Sequence, residues 1–333
     1  SGPALVKGGP GSGKSTVALY RLREIVAHHL AQTGAVPSVL FTTYTNALIN
    51  SSESLLRQLL RDVLKLKANS KLPKEIRIST LHKTAQWIGH HSRAQFEMTA
   101  DSHRLEALHA AQASLQPKAF GDAAKIATAN ALAGLRDEYL LAEFDWVLEG
   151  QNCRSEADYL AADRTGRGIP FTQTRRKAVW QLYAAYRDNL LAQGRFTWGH
   201  LTQVALQEVR AGKFTNRWDY VIVDEAQDLP PTALALAVEL CRAPAGVFLT
   251  ADANQSLYNR GFRWRSVHEK LNVQGRTRIL QRNYRSTRQI AAAAAEIMAP
   301  IPDFDAEVMQ QEYIHIGLPP LIYGAAGSED QAR

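Results

Sequence analysis

The sequence predicts an α/β protein: a parallel sheet wrapped by helices, interrupted by an all-helical block and followed by the start of a second α/β unit. Three observations predict it. Short, mostly β-branched runs at residues 4–6, 38–43, 77–79, 220–223, 246–250 and 277–281 have the length and flanks of buried strands. Between them lie segments of helical periodicity, the alternation that produces a parallel sheet. From residue 90 to residue 196 the β-branched runs disappear and Ala, Leu, Arg and Glu dominate, a composition of packed helices.

The first strand runs into Gly8-Gly9-Pro10-Gly11-Ser12-Gly13-Lys14-Ser15, and apolar residues then recur at helical spacing from Thr16 to Leu30. Strand, glycine-rich loop and helix in that order make a phosphate cradle. The glycines let successive N–H groups turn inward onto a polyphosphate, Lys14 supplies a point charge, and the Ser15 hydroxyl is placed to ligate Mg²⁺. Gly9, Gly11, Ser12, Gly13 and Thr16 complete the candidate nucleotide contacts. A flexible glycine-rich turn would need no Lys-Ser pair at the head of a helix.

Strand 38–43 leads into Thr43-Tyr44-Thr45-Asn46-Ala47 and a helix over 48–66, and strand 77–79 ends in Ser79-Thr80-Leu81-His82. Tyr44 beside Thr45 and Asn46 offers an aromatic face to a base and small polar groups to phosphates, the mode in which single strands are held. A half-buried aromatic at a strand end is the competing reading. In the helical block, 104–115, 123–141 and 175–191 read as helices and the polar stretch 163–170 as a mobile loop.

The alternation resumes with a helix over 201–211, the strand 220–223, a helix after Pro231 and the strand 246–250. Tyr220-Val221-Ile222-Val223 ends in Asp224-Glu225-Ala226-Gln227-Asp228, which puts carboxylates where open α/β sheets bind ligands. Asp224 is expected to hold the Mg²⁺, and Glu225 to orient and deprotonate an attacking water. Such a pair suits hydrolysis better than transfer, and no acceptor site for a kinase is visible. Strand 277–281 and an Ala-rich helix to Met298 close the readable pattern. Residues 1–89 and 197–275 are therefore read as one nucleotide-binding domain, 90–196 as a helical insertion, and 276–333 as the incomplete start of a second domain.

Composition sets the outer bounds. The chain has 333 residues, of which 45% are hydrophobic and 21% charged, ordinary for a globular protein with two or three domains. No apolar run reaches membrane-spanning length and no secretory pattern opens the chain, so a cytoplasmic protein is expected. Cys153 and Cys241 are isolated, which argues against a disulfide framework or a zinc site. The formal net charge of +7 favours a polyanionic partner.

Taken together, the motifs resemble those of UvrD/Rep-type superfamily I DNA helicases from Gly8 to about Met298. Gly8 to Ser15 is similar to motif I, Thr43 to Ala47 to motif Ia, Ser79 to His82 to the next DNA-contacting motif, and Asp224 to Asp228 to motif II. Asp252-Ala253-Asn254-Gln255-Ser256-Leu257-Tyr258 resembles motif III, and Gln281-Arg282-Asn283-Tyr284-Arg285-Ser286-Thr287 resembles motif IV. The resemblance implies a RecA-like P-loop NTPase with a 1B-like helical insert and part of a 2A-like domain. It implies ATP and Mg²⁺ as ligands and translocation on single-stranded DNA, 3′ to 5′.

By that resemblance, Tyr44, Thr45, Asn46, Thr80 and His82 line the DNA track, joined by Tyr258 and by Phe262 or Trp264 as a base-stacking aromatic. Gln255 senses the γ-phosphate, Tyr284 faces the adenine, and Arg285 meets the γ-phosphate. Arg21 resembles an arginine near the adenine, with a surface role as its competitor. Only seven residues precede Gly8 and no counterpart of motifs V and VI follows, so a fragment of a longer protein is expected. A helicase-like ATPase that remodels a protein partner such as RNA polymerase through the helical insert is the alternative function.

Overall fold

Apolar runs that alternate between two cores can be buried on both faces of a sheet, and the central strands do so. A computed structural model describes residues 2–67, 70–92, 96–117, 122–252, 267–298 and 312–321. Its main sheet contains β1 (Ala4–Gly8), β2 (Val39–Thr42), β3 (Ile76–Ile78), β6 (Tyr220–Val223), β7 (Val247–Ala251) and β8 (Thr277–Leu280). The two-residue strands β4 (Glu97–Met98) and β5 (Arg195–Phe196) form a separate parallel pair. The main order is β3-β2-β6-β7-β1-β8, and every pairing in it is parallel.

Strand periodicity sorts the side chains onto two faces. Val39, Phe41, Ile222 and Phe248 pack with Leu22, Val26 and Leu56 of α1 (Lys14–Thr33) and α2 (Asn46–Leu60). Leu40, Val221, Val223 and Leu249 face the other way. They meet Leu81 and Ile88 of α3 (Leu81–Ser92).

The helical block contributes α4 (Asp101–Leu115), α5 (Ala123–Leu132), α6 (Asp137–Glu143), a π-helical turn (Phe144–Glu149), α7 (Glu156–Ala161) and α8 (Gln173–Ala192). Among the described residues, its core of Leu108, Leu140, Phe144, Tyr183 and Tyr186 draws on residues 107–190 alone. After it come α9 (Trp198–Arg210) and α10 (Pro231–Glu239), whose Val204 and Leu236 complete the α3 side of the sheet.

Three expectations change. The single helix expected over 123–141 is two, because the chain turns at Gly134 with φ +77°, a left-handed conformation that ends a helix. The stretch 163–170 has no regular structure but is anchored. Arg167 Nε donates to the buried Glu143 carboxylate at 2.8 Å, Arg164 donates to it as well, and the Arg164 guanidinium lies 3.6 Å from the centre of the Phe171 ring. Burial would raise the Glu143 pKa, but the bonds from the two arginines hold it below the usual carboxylate range. Finally, β8, expected from the sequence to open the segment after residue 276, pairs with β1 in the main sheet, Val6 opposite Arg278. The chain then continues into β9 (Arg282–Thr287), α11 (Arg288–Met298) and β10 (Glu312–His315), β10 pairing with β9.

Cys153 and Cys241 are buried and free, and burial pushes the Cys153 thiol up to about 12. No described helix is long and apolar enough to cross a membrane.

Candidate nucleotide site

Because the main strands are parallel, the segments that follow them emerge along one edge of the sheet. Across that edge stand Thr80 and His82 after β3, Tyr44 to Asn46 after β2, Asp224 and Glu225 after β6, Asp252 after β7, the Gly8–Ser15 loop after β1, and Arg282 to Arg285 after β8. The nucleotide candidates are thus gathered over β6, β7, β1 and β8, and the nucleic-acid candidates over β3 and β2.

The loop is shaped by left-handed backbone at Gly11 and Gly13, φ +76° and +87°. Gly13 caps α1, and Lys14 is its first residue. Lys14 is 5% exposed, and its ammonium donates to the carbonyls of Gly8 at 2.8 Å and Gly9 at 3.1 Å and to Asp252 Oδ2 at 3.4 Å. The Ser12 hydroxyl oxygen is buried with no hydrogen-bond partner among the described residues. An orphaned hydroxyl in a loop of this curvature is the kind of group a phosphate oxygen would satisfy. Thr16 is exposed at the first turn of α1, and Arg21 stands exposed two turns beyond Lys14.

The acidic strand end meets this loop. The Thr250 hydroxyl donates to Asp224 Oδ1, and the Ser15 hydroxyl lies near enough to the same carboxylate to favour its charged form. Asp224 is 2% exposed. Burial raises its pKa, and the Thr250 and Ser15 hydroxyls offset part of the rise. Glu225 is one of the described residues outside glycine with left-handed backbone, φ 52°, an uncommon conformation for a glutamate that signals a fixed local geometry. Its N–H donates to Thr250 Oγ1 at 3.2 Å, and its carboxylate accepts from Gln227 Nε2 at 2.8 Å. Gln227 Oε1 in turn accepts from the Asp252 N–H at 2.9 Å. The result is a relay of contacts from Glu225 through Gln227 and Asp252 to Lys14. Asp228 lies beside it, its carboxyl pushed up to about 6 by burial and then by the charges of Glu225 and Asp252.

Magnesium fits this donor set. Ser15 and Asp224 are hard oxygen donors on neighbouring segments, and a divalent charge would offset the burial that raises Asp224. Among the described residues no group of three or more His, Cys, Asp or Glu side chains could hold a metal. A magnesium site with one protein carboxylate needs no such cluster.

Motif-like residues after β8 touch the loop from its far side. Tyr284 N–H donates to the Gly11 carbonyl at 2.9 Å, and Asn283 Nδ2 donates to the Pro10 carbonyl. Tyr284 and Arg285 are exposed at the loop's flank, Tyr284 at 57%.

Over β2 and β3 the candidates have structural duties. Thr45 caps α2 by accepting from Leu48 N–H at 3.3 Å, Asn46 is that helix's first residue, and Tyr44 is partly buried against the core. Thr80 is buried and accepts from Lys83 N–H at 3.3 Å. His82 packs against Trp198 with ring centres 5.2 Å apart, and burial lowers its pKa. Gln255, Tyr258, Phe262 and Trp264 lie outside the described residues.

Sequence reasoning gave no role to Thr250, Gln227, Asp252, Asn283 or Trp198. Thr250 carried a signal, a hydroxyl near the end of an otherwise apolar strand. The others also make long-range pairings that no local pattern announces, Gln227 with Asp252, Asp252 with Lys14, Asn283 with Pro10 and Trp198 with His82.

A family model described as the UvrD/REP helicase N-terminal domain matches residues 1–275. The chain is 26% identical over 321 aligned residues to the ATP-dependent DNA helicase UvrD1 of Mycobacterium tuberculosis and to that of Mycobacterium bovis. It is 24% identical over 326 residues to the protein of the same name from Mycobacterium leprae. Each alignment covers 89% of this chain and 37% of the relative, so the chain spans little more than a third of these relatives.

Proposed function

Because the chain belongs to the UvrD/REP helicase N-terminal domain family, we propose that it binds and hydrolyses ATP with Mg²⁺ to drive movement along single-stranded DNA. The observation that carries this reading is the meeting of the loop after β1 with the acids after β6 and β7, where Ser15 stands beside Asp224 and Lys14 contacts Asp252 at 3.4 Å. In a RecA-like arrangement the loop N–H groups and Lys14 hold the phosphates, and Ser15 and Asp224 hold the magnesium. When bound, that ion neutralises charge on the phosphate oxygens. Glu225, fixed by Thr250 and Gln227, orients water and takes its proton. Arg285 and Tyr284, flanking the loop, serve the γ-phosphate and the base. Gln255 senses the γ-phosphate, and Arg21 lies toward the adenine.

Tyr44, Thr45, Asn46, Thr80, His82, Tyr258 and Phe262 or Trp264 form the DNA track, with 3′ to 5′ movement and a cytoplasmic setting resting on family likeness. Residues 1–89 with 197–275 act as the ATP-binding domain, 90–196 as a helical insert, and the segment from 276 as part of a second domain. The fold supports one adjustment, since β8 belongs to the first sheet.

The test is ATPase activity with and without single-stranded DNA, in the wild type and in Glu225→Gln. The substitution should leave ATP binding intact and cut turnover by about 10²-fold or more, the scale of a lost general base. Hydrolysis that survives it would remove Glu225 from the mechanism.

A further inference from the structure

Asn283 is 3% exposed and uses both ends of its amide. Its Oδ1 accepts from the N–H groups of Arg285 at 3.0 Å and Ser286 at 2.9 Å, a local turn that asparagine commonly makes. That turn does not explain the other end. Nδ2 reaches across 273 positions of sequence to the Pro10 carbonyl at 2.5 Å. Beside it the Tyr284 N–H donates to the Gly11 carbonyl at 2.9 Å. The fit is close enough that a Cβ on Gly11 would stand 2.5 Å from Arg285 Cβ and 2.9 Å from Asn283 Oδ1.

We propose that Asn283 is a positioning residue that locks the Arg285 backbone and the phosphate loop into one geometry, so that Arg285 meets the terminal phosphate only while this bridge is intact. The proposal rests on the ATPase reading above. One amide supplies the acceptor that shapes the turn and the donor that ties it to the loop, and an aspartate can supply only the first. Loop and arginine therefore move as a unit, and a shift of the phosphates is felt at Arg285 without a contact between Asn283 and the nucleotide.

The test is the preference for MgATP over MgADP, measured by calorimetry on the full chain for wild type, Asn283→Ala, Asn283→Asp, Arg285→Ala, Asn283→Ala/Arg285→Ala and Asn283→Asp/Arg285→Ala. Arg285→Ala should reduce the preference about tenfold, the scale of one charge-assisted hydrogen bond. Asn283→Ala should match it, and Asn283→Ala/Arg285→Ala should lose no more than either alone, because residues acting through one contact are not additive. Asn283→Asp keeps the turn and so guards against misfolding. Its effect in an Arg285→Ala background measures the added charge alone, and the rest measures the lost bridge. If Arg285→Ala abolishes the preference while both Asn283 variants keep it, or if the losses add, the positioning role is wrong and the ATPase reading stands. If Arg285→Ala changes nothing, the role given to Arg285 fails and the proposal fails with it.

Discussion

Glu149 closes the π-helical turn with its carboxyl fully buried, 1% exposed. It accepts from Tyr183 OH at 3.2 Å and from Thr197 Oγ1 at 2.7 Å, and a Cβ at Gly199 would lie 2.4 Å from its Oε2. These contacts join α8 to the start of α9, so the acid sits where the helical block meets the α/β sheet. Burial first, and then the charge of Asp145, pushes its pKa from 4.5 up to about 8. In the unfolded chain Glu149 ionises near its ordinary value, while in the fold it keeps its proton. Folding therefore takes up a proton between those two values. The stabilisation is complete below about pH 4.5 and is lost as pH rises toward 8.

At about 1.4 kcal/mol per pH unit for one proton, the loss approaches about 5 kcal/mol across the window as an upper bound. Glu149→Gln removes the titration. Urea unfolding of both proteins at intervals from pH 5 to 8 should give a wild-type stability that falls more steeply than the variant's by about one proton's worth. Asp145→Asn should shorten the window from its upper end by removing the second cause of the shift. Parallel slopes for wild type and Glu149→Gln would refute the reasoning, since they would mean that the acid is ionised within the fold.

Two further outcomes follow from paired charges. Glu143→Gln leaves Arg164 and Arg167, both largely buried, without their carboxylate, and breaking such a pair should cost about 3–5 kcal/mol in urea unfolding and open the 163–170 stretch to proteases. Retained stability and resistance would show that the arginines do not anchor that stretch. Asp252→Asn removes the carboxylate that holds Lys14 at 3.4 Å, leaving the ammonium to the phosphates. ATP affinity should rise about threefold to tenfold, on the scale of one weakened ion pair, and unchanged affinity in calorimetry would show that Asp252 does not compete.

The strands were legible because their cores are two-sided. Val221-Ile222-Val223 sends alternate side chains into different clusters, and only an unbroken apolar run can do that. Which sheet a strand joins is another matter. Residues 277–280 read correctly as a strand, but nothing local distinguishes an edge partner of β1 from the first strand of another unit. The break at Gly134 was missed because an isolated glycine in a helical pattern is tolerated often enough to be read through. The anchoring of 163–170 was missed because loop composition says nothing about a carboxylate some twenty positions upstream, as Glu143 is from Arg164.

The site divides in the same way. The left-handed glycines Gly11 and Gly13 and the buried Lys14 could be expected because the loop's backbone chemistry is local, and the buried Asp224 because a carboxylate closing a buried strand is exceptional. What the motifs could not supply is how they are joined, since chain order and spatial order differ. The loop follows the first strand, yet the sheet runs β3-β2-β6-β7-β1-β8. This places β6 and β7 between the nucleic-acid candidates after β3 and β2 and the glycine-rich loop after β1. Any coupling between the halves along this edge must then cross the ends of β6 and β7. The side chains found there are Thr250, which bonds both acids, and the chain of contacts from Glu225 through Gln227 and Asp252 to Lys14. Asp252 is also the last described residue before Gln255 and Tyr258. The segment proposed to touch DNA therefore begins at the residue that contacts Lys14, and under the proposed function a phosphate that drew Lys14 away from Asp252 would act at the root of that segment.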